Sequence, residues 1–506
     1  MYLESREVFA MIDDVNNNND IYFDLQKVPL KSERQEKAKK RRNVVLVILL
    51  CIFCLLTGAL FSYFLLKNLH PSYNADIKNT MGEIEHIFSN YWLYANEHDD
   101  LIGDLEDKAL YGMTYFEDDP YTSYMSEEEM EEFSTSINMN YVGIGVEYSY
   151  INNIALIKKV FKNSPAEIAG VQAGDIIKAV DHVEIDGMTS SEIKDRVIGQ
   201  EGSEVIISVL RGGEIIDFTI KRGPVDSTVY AYKENDYVVL QLNSFGVDSG
   251  SRCITYLDEY KDLKKIIIDL RDNSGGYQSS VKDISGLFIG PNKVYLREKD
   301  SKGQESADYT SGRVTYDNFE EIVVLINENT ASAAEVLAIC LKEQHPNVTL
   351  VGMKTYGKGV IQTNRLLNNN GALKLTAYYW YSPNGVSIDK VGISPDVEVK
   401  MPDIYYTYYV ENFDGSYEFD SVSDSVKICQ MALEYLGYNV KRTDGYFDES
   451  FKEALIDFKQ NNNLESTAIL DKQTYEVIIS EVNREMANNP LRDVQMNKAK
   501  EILNGN

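Results

Sequence analysis

Histidine is nearly missing from this chain: five in 506 residues, at His70, His86, His98, His182 and His345, none inside a catalytic signature. A Ser-His-Asp arrangement therefore has no motif behind it. Cysteine is equally scarce, with Cys51 and Cys54 in one apolar run and Cys253, Cys340 and Cys429 widely scattered. That spacing implies no disulfide framework and no Cys/His metal cluster, and no metal or organic cofactor is expected. Positive charge is also in deficit. A formal net charge of −29 argues against sequence-independent nucleic-acid binding, which needs clustered Lys and Arg to neutralise phosphates.

The 50 basic residues, against 79 acidic ones, are unevenly placed. Lys31, Arg34, Lys37, Lys39, Lys40, Arg41 and Arg42 crowd in front of Val44 to Leu66, an apolar run of about 23 residues without a charge. A bilayer-spanning helix needs ~20 such residues, and a flanking Lys/Arg cluster stays on the cytoplasmic side. A cleaved signal peptide is the competing reading, but its apolar region is usually ~7–15 residues and its n-region shorter than the 43 residues seen here. The expectation is an uncleaved single-pass anchor in the cell membrane, with the N-terminus cytoplasmic and everything beyond Lys67 outside. At this length several domains are expected, since single cores stop growing near ~250–300 residues.

Beyond the anchor the pattern changes several times. Ile77, Met81, Ile84, Phe88 and Tyr91 recur at helical spacing. From Tyr141 to Arg222 short β-branched runs alternate with glycine turns, which describes a compact, mostly β module. Within it, Tyr141-Val142-Gly143-Ile144-Gly145-Val146 followed by Ser164-Pro165-Ala166-Glu167-Ile168-Ala169-Gly170-Val171-Gln172-Ala173-Gly174-Asp175-Ile176-Ile177 resembles a PDZ domain. The resemblance implies that the loop Val142, Gly143, Ile144, Gly145 presents amides to a protein C-terminal carboxylate, the peptide adding as a strand. After Pro224, apolar strands alternate with helical stretches, an α/β pattern with a largely buried sheet. An acidic, tyrosine-rich stretch near Asp403 to Asp420 reads as a linker. Gln430-Met431-Ala432-Leu433, Leu436-Gly437-Tyr438, Asp444-Gly445-Tyr446-Phe447 and Ala454-Leu455-Ile456-Asp457-Phe458 resemble the small three-helix peptidoglycan-binding domain; a generic helical bundle is the competing reading, and several landmarks in the right order favour the resemblance.

Two segments of the α/β part carry chemistry. Val323-Val324-Leu325-Ile326-Asn327-Glu328-Asn329-Thr330-Ala331-Ser332-Ala333-Ala334-Glu335 reads as a strand, a tight turn and a helix start, and Tyr356-Gly357-Lys358-Gly359-Val360-Ile361-Gln362 follows. Ser332 opens Ser-x-x-Glu, a capping-box pattern that needs no catalytic role. Gly352-Met353-Lys354-Thr355-Tyr356-Gly357-Lys358 fits G-x-x-x-x-G-K, yet Gly359 replaces the required Ser/Thr and the next residues look extended, which weakens a phosphate-loop reading. A lysine serves as a base if burial favours its neutral form. Asp269-Leu270-Arg271-Asp272-Asn273-Ser274-Gly275-Gly276 closes a buried strand with a turn whose amides could face a cleft.

Together, Leu270-Arg271-x-Asn273-x-Gly275-Gly276, Ala331-Ser332-Ala333-Ala334-Glu335 and Thr355-Tyr356-Gly357-Lys358-Gly359-x-x-Gln362 resemble the carboxyl-terminal processing peptidases, serine proteases of the S41 family. The likeness extends to Asp118-Asp119-Pro120-Tyr121-Thr122-Ser123-Tyr124, Tyr381-Ser382-Pro383-Asn384-Gly385 and Gly392-Ile393-Ser394-Pro395-Asp396. It implies Ser332 as nucleophile, Lys358 as general base, Gln362 as the residue holding the lysine, and backbone amides of Gly275 (or Gly276) and Ala333 for the oxyanion. Ala333 also follows from first principles, because amides in a first helical turn are unpaired. Thr330 and Ala334 stand where the family often has serines, and one extra residue falls near His345-Pro346-Asn347. Four strand residues separate side chains by ~13 Å, so Lys358 must bend back to meet Gln362.

The resulting expectation is a multidomain α/β chain. Its parts are a basic tail (1–43), a transmembrane helix (44–66), a helical region (70–135), a PDZ module (136–224), an α/β protease core (225–402), a linker (403–420), a peptidoglycan-binding-like helical domain (421–485) and a tail (486–506). The expected partners are protein C-termini, cell-wall peptidoglycan, the membrane and a second copy of the chain through terminal helices. The rival reading is a non-catalytic cell-wall adaptor built from the same modules.

Overall fold

The computed structural model describes residues 75–505 except 139, 227, 313, 408–412 and 414, together with Arg42 and Thr57. The expected span 44–66, Thr57 apart, lies outside the described residues, and among those described no helix is long and apolar enough to cross a membrane. The described residues fall into two units, one ending at Glu106 and the other beginning at Asp107. In the first, the helical spacing forms one helix, Ala75–Tyr91, followed by a short 3-10 turn, Ala95–Glu97. Trp92 packs against Phe88 and His98 at ring-centroid distances of 5.3 and 5.1 Å.

The second unit is organised around a six-stranded sheet in the order Val229–Glu234, Tyr237–Leu242, Lys265–Asp269, Glu321–Ile326, Val348–Gly352, Val397–Glu398, parallel except for the first. Strands covered on both faces read as continuous apolar runs, and Ile266-Ile267-Ile268 and Val323-Val324-Leu325 are such runs. The pleat sorts them. Ile266, Ile268, Val324 and Ile326 pack under helices Ser249–Glu259, Gln278–Ile289 and Ala333–Gln344, whereas Ile267, Val323 and Leu325 face the opposite layer.

That opposite layer is the last helix, Val494–Leu503, whose Met496, Ala499 and Leu503 are buried against the sheet. The stretch 486–506, expected as a tail, therefore gives its helix 494–503 to the core. Asp493 receives two bonds from the Arg271 guanidinium at 2.8 and 2.9 Å, and Lys265 donates to the Leu503 carbonyl at 2.7 Å. A second, antiparallel sheet was not legible beforehand. Its central strand Ala372–Tyr381 pairs with Val360–Leu366 on one edge and with Ser123–Met125 and Val294–Asp300 on the other. The region expected to be helical through residue 135 thus gives a strand to the core.

The β module is a five-stranded antiparallel path, Val146–Ile151, Ile154–Val160, Ile176–Val180, Glu204–Arg211, Glu214–Lys221, with helices Pro165–Ala169 and Ser190–Val197. The C-terminal helices Asp424–Tyr435, Glu449–Asn461 and Lys472–Asn488 share one apolar cluster with Ile154, Leu156, Ile176 and Leu210 of the β module. Polar contacts fasten the same interface. Ser480 Oγ donates to the Gly174 carbonyl (2.6 Å), Asn483 Nδ2 to the Ile157 carbonyl (3.1 Å), and Lys178 pairs with buried Glu476 at 2.6 Å.

Candidate active site

Strands Lys265–Asp269 and Glu321–Ile326 are parallel neighbours, so the loops leaving their C-terminal ends meet, which is where open α/β sheets bind ligands. The two loops are laced together. Thr330 Oγ1 donates to the Leu270 carbonyl (2.8 Å), the Ala331 amide to the Asn273 carbonyl (3.0 Å), and the side-chain amides of Asn327 and Asn329 to Asp272 Oδ1 (2.8 Å each). Ser332 then adopts φ 55° and ψ −121° directly before helix Ala333–Gln344. A positive φ costs a non-glycine residue about 1–3 kcal/mol and persists only where its surroundings impose it. Here the lacing imposes it.

The oxyanion expectation is refined by this geometry. Gly275 backs onto Ser332 so closely that a Cβ there would lie 2.8 Å from Ser332 Cβ and 3.0 Å from the Ala333 nitrogen, so no other residue fits. Its amide, however, donates to Asn273 Oδ1 at 2.8 Å within its own loop. The amides of Ala333 and Gly276 have no partner among the described residues, and these two are the open donors beside Ser332.

Glu335 carries more than the capping pattern suggested. One carboxylate oxygen accepts the amides of Ser332 and Lys358 (2.9 Å each), and the other accepts Thr355 Oγ1 (2.5 Å) and the Gly357 amide (2.8 Å). A fully buried side chain thereby staples the serine turn to the lysine loop. Burial pushes its carboxyl above the ordinary value, against the hydrogen bonds, which pull it down. The same contacts dispose of the phosphate loop: two of the amides that would cradle a phosphate are held by a carboxylate, and the next element is the strand Val360–Leu366, not a helix. Gly357 adopts φ 90°, and a Cβ on Gly359 would sit 2.4 Å from Asp389 Cβ, so both glycines are required.

Ser332, Ala333, Gly275, Gly276, Lys358 and Gln362 all line one cavity of about 600 Å³, with Tyr121, Phe133, Lys374 and Trp380 among its other walls. Burial first, and then the nearby Lys374 ammonium, push Lys358 below the usual lysine value, while Glu335 opposes. Lys358 Nζ lies over the Tyr121 ring, 4.7 Å from its centroid, and makes no hydrogen bond to Ser332 or Gln362 among the described residues. Gln362 Nε2 instead donates to Thr376 Oγ1 at 3.4 Å. The expected lysine–glutamine contact is thus not made in this conformation, in which Lys358 lies over Tyr121 and Gln362 is bonded to Thr376; a bulge between Ile361 and Gln362 shifts the register of that strand. Thr376 in turn donates to Asp119 (3.0 Å), whose carboxyl is raised by burial but held below its ordinary value by hydrogen bonds from Thr122, Thr376 and the backbone.

Among the described residues, no histidine lines this cavity. His345 caps the far end of helix Ala333–Gln344, ~18 Å from its start at 1.5 Å per residue. Glu335, Tyr121 and Lys374 are the site residues that sequence reasoning passed over as functional. Glu335 and Tyr121 stood inside quoted motifs; Lys374 carried no signal.

In the β module, Gly145 adopts φ 82°, and a Cβ there would collide with Ser164 Cβ at 2.3 Å. The carbonyls of Ile144 and Gly145 turn inward to accept the amides of Ala166 (2.8 Å) and Phe161 (3.0 Å). The following strand, Val146–Ile151, lies at a sheet edge, and Tyr148 joins it to helix Ser190–Val197 by donating to the Ser190 carbonyl at 2.9 Å. An edge strand beside a helix is the setting in which a peptide adds as an extra strand.

Comparison with known proteins agrees with this architecture. Residues 236–399 match peptidase family S41, 142–221 match the PDZ domain, and 422–478 match the putative peptidoglycan binding domain. The carboxy-terminal processing protease CtpA of Bacillus subtilis (strain 168) is 33% identical over 426 residues, covering 83% of this chain and 88% of that protein. A probable CtpA-like serine protease of Staphylococcus saprophyticus is 28% identical over 456 residues, covering 89% and 92%. These matches define a PDZ-containing peptidase of family S41. Within that class, the chain belongs to the carboxy-terminal processing proteases.

Proposed function

We propose that this protein is a membrane-anchored serine endopeptidase acting outside the cytoplasm, in which the PDZ module holds a protein C-terminus while the α/β core cleaves the chain. The observation that carries the reading is the convergence of Ser332, Lys358 and the open amides of Ala333 and Gly276 on one cavity. Ser332 Oγ attacks the scissile carbonyl carbon as Lys358 takes the hydroxyl proton, and the two amides stabilise the resulting oxyanion. Lys358 then returns the proton to the leaving amine, and water hydrolyses the acyl-enzyme through the same steps in reverse. The ammonium over Tyr121 describes a resting site, since catalytic hydrogen bonds often tighten only with substrate. Gln362 orients the amine once it turns toward Ser332.

Capture by the C-terminus makes a sharp prediction. An unfolded substrate with a free C-terminal carboxylate is expected to be cleaved with kcat/KM about ten- to hundredfold higher than its amidated twin, the worth of one hydrogen bond to a charged group. Equal rates would refute the capture role of the Val142–Gly145 loop. The apolar run 44–66 supports an anchor and the C-terminal helical match supports wall binding. Full-length protein should accordingly remain in membranes washed with alkaline carbonate and, in detergent, co-sediment with purified peptidoglycan; release in the first assay rejects the anchor, and failure to sediment in the second rejects wall binding.

A further inference from the structure

We propose that Lys374 acts on the reaction through Lys358, as a fixed positive charge sharing the cavity with the base; it is a positioning residue for proton transfer. The inference rests on the Ser332/Lys358 reading and adds a residue to it. Strand geometry places the group. Lys374 pairs with Asn364 and Thr376 pairs with Gln362 across adjacent antiparallel strands, and residues two apart share a face. Lys374, Gln362 and Asn364 accordingly line the same cavity as Ser332 and Lys358.

The charges around the base leave Lys374 unbalanced. Its Nζ lies over the Phe133 ring, 5.3 Å from the centroid, and it forms no ion pair with a carboxylate among the described residues. Lys358 faces Glu335 from helix Ala333–Gln344, but that carboxylate is already spent on four hydrogen bonds. From the segment before Ser123–Met125 come the Tyr121 ring, over which Nζ sits, and Asp119, which is held by Thr122 and Thr376. Asp389 accepts the Gly359 amide. Two lysines in one partly apolar cavity repel, and each disfavours the protonated form of the other, which is how a cationic neighbour activates a lysine.

The sign follows directly. Removing the Lys374 charge lets Lys358 keep its proton to higher pH, so the neutral base becomes scarcer at neutrality. The acid limb of the kcat/KM profile should therefore move to higher pH in Lys374→Met, with the high-pH plateau retained, and each unit of movement costs about tenfold in activity at pH 7. Lys374→Arg keeps the charge and should keep the wild-type limb. The rate at which a fluorophosphonate labels Ser332 in the full-length protein, followed against pH, reads the same base without turnover and should move in parallel. Three results overturn the inference: an unmoved limb in Lys374→Met, a uniform loss at every pH, or a rise in KM alone, the last marking Lys374 as a substrate contact. Thermal melting of each variant identifies loss by misfolding, and Lys374→Gln then supplies the test. If Lys358→Met stays active, the underlying reading fails; if that variant is dead while Lys374→Met keeps its limb, only the present inference does.

Discussion

Ser332→Ala is expected to abolish cleavage of an unfolded protein substrate, with a loss in kcat on the order of 10⁴- to 10⁶-fold, the scale seen when a serine protease loses its nucleophile. The fold should survive, because alanine removes one oxygen and leaves the Glu335 bond to the residue 332 amide in place. Lys358→Met should lose nearly as much, since residues that act as a unit are grossly non-additive and the double variant should be little worse than either single one. Methionine keeps the apolar stem beside Tyr121 while removing the amine. The checking measurement is steady-state proteolysis with the melting temperature of each variant alongside. Retained proteolysis in Ser332→Ala would return the chain to the adaptor reading, and full activity in Lys358→Met would move the base elsewhere in the cavity.

The second large effect is on stability. Ending the chain at Asn489 should prevent folding of the catalytic body or remove most of its stability, although the deleted segment lies far in sequence from Ser332. The deletion strips Met496, Ala499 and Leu503 from one face of the six-stranded sheet. Burying a methionine or leucine side chain is worth about 1.5–3 kcal/mol each, so the loss approaches about 5 kcal/mol, against a typical total of about 5–15 kcal/mol. Arg271, which follows the strand Lys265–Asp269 and opens the Gly275–Gly276 loop, also loses Asp493. Burial raises the Asp493 carboxyl, yet Arg271 holds it below the ordinary carboxylate value. That pair's contribution is therefore present above the unfolded carboxylate range and fades as pH falls through the depressed folded value. Leu503→Ala offers a gentler test, with an expected cost of about 2–5 kcal/mol. An unchanged denaturation midpoint in the truncated chain would refute the role assigned to this helix. A deletion of the C-terminal module is consequently a poor probe of wall binding, since it removes core.

Much of this molecule was legible from local pattern. Ile266-Ile267-Ile268 and Val323-Val324-Leu325 announce strands covered on both faces, and they are the centre of the sheet. The glycine-bounded β runs and the Gln430, Leu436-Gly437-Tyr438 and Phe447 landmarks marked two modules that the family matches support. Other features were illegible for a common reason: they depend on which distant segment arrives beside a given residue. Ser-x-x-Glu reads as a helix cap whether or not a lysine loop twenty residues later delivers three more donors to Glu335. The spacing of Met496, Ala499 and Leu503 specifies an apolar face without naming the sheet that it covers. Ser123–Met125 is too short to be read as a strand until Ala372–Tyr381 pairs with it.

By itself, then, the sequence determined the modules, the turn that carries Ser332 and the glycines around Lys358, because backbone conformation and apolar periodicity are written in neighbouring residues. Tertiary structure alone decided which amides near Ser332 stay open, that Gly275 spends its own on Asn273 while Gly276 and Ala333 do not, and that Lys358 rests over Tyr121 with Lys374 in the same cavity. Hydrogen-bond partners and electrostatic neighbours are set by long-range packing, and packing is a property of the folded chain.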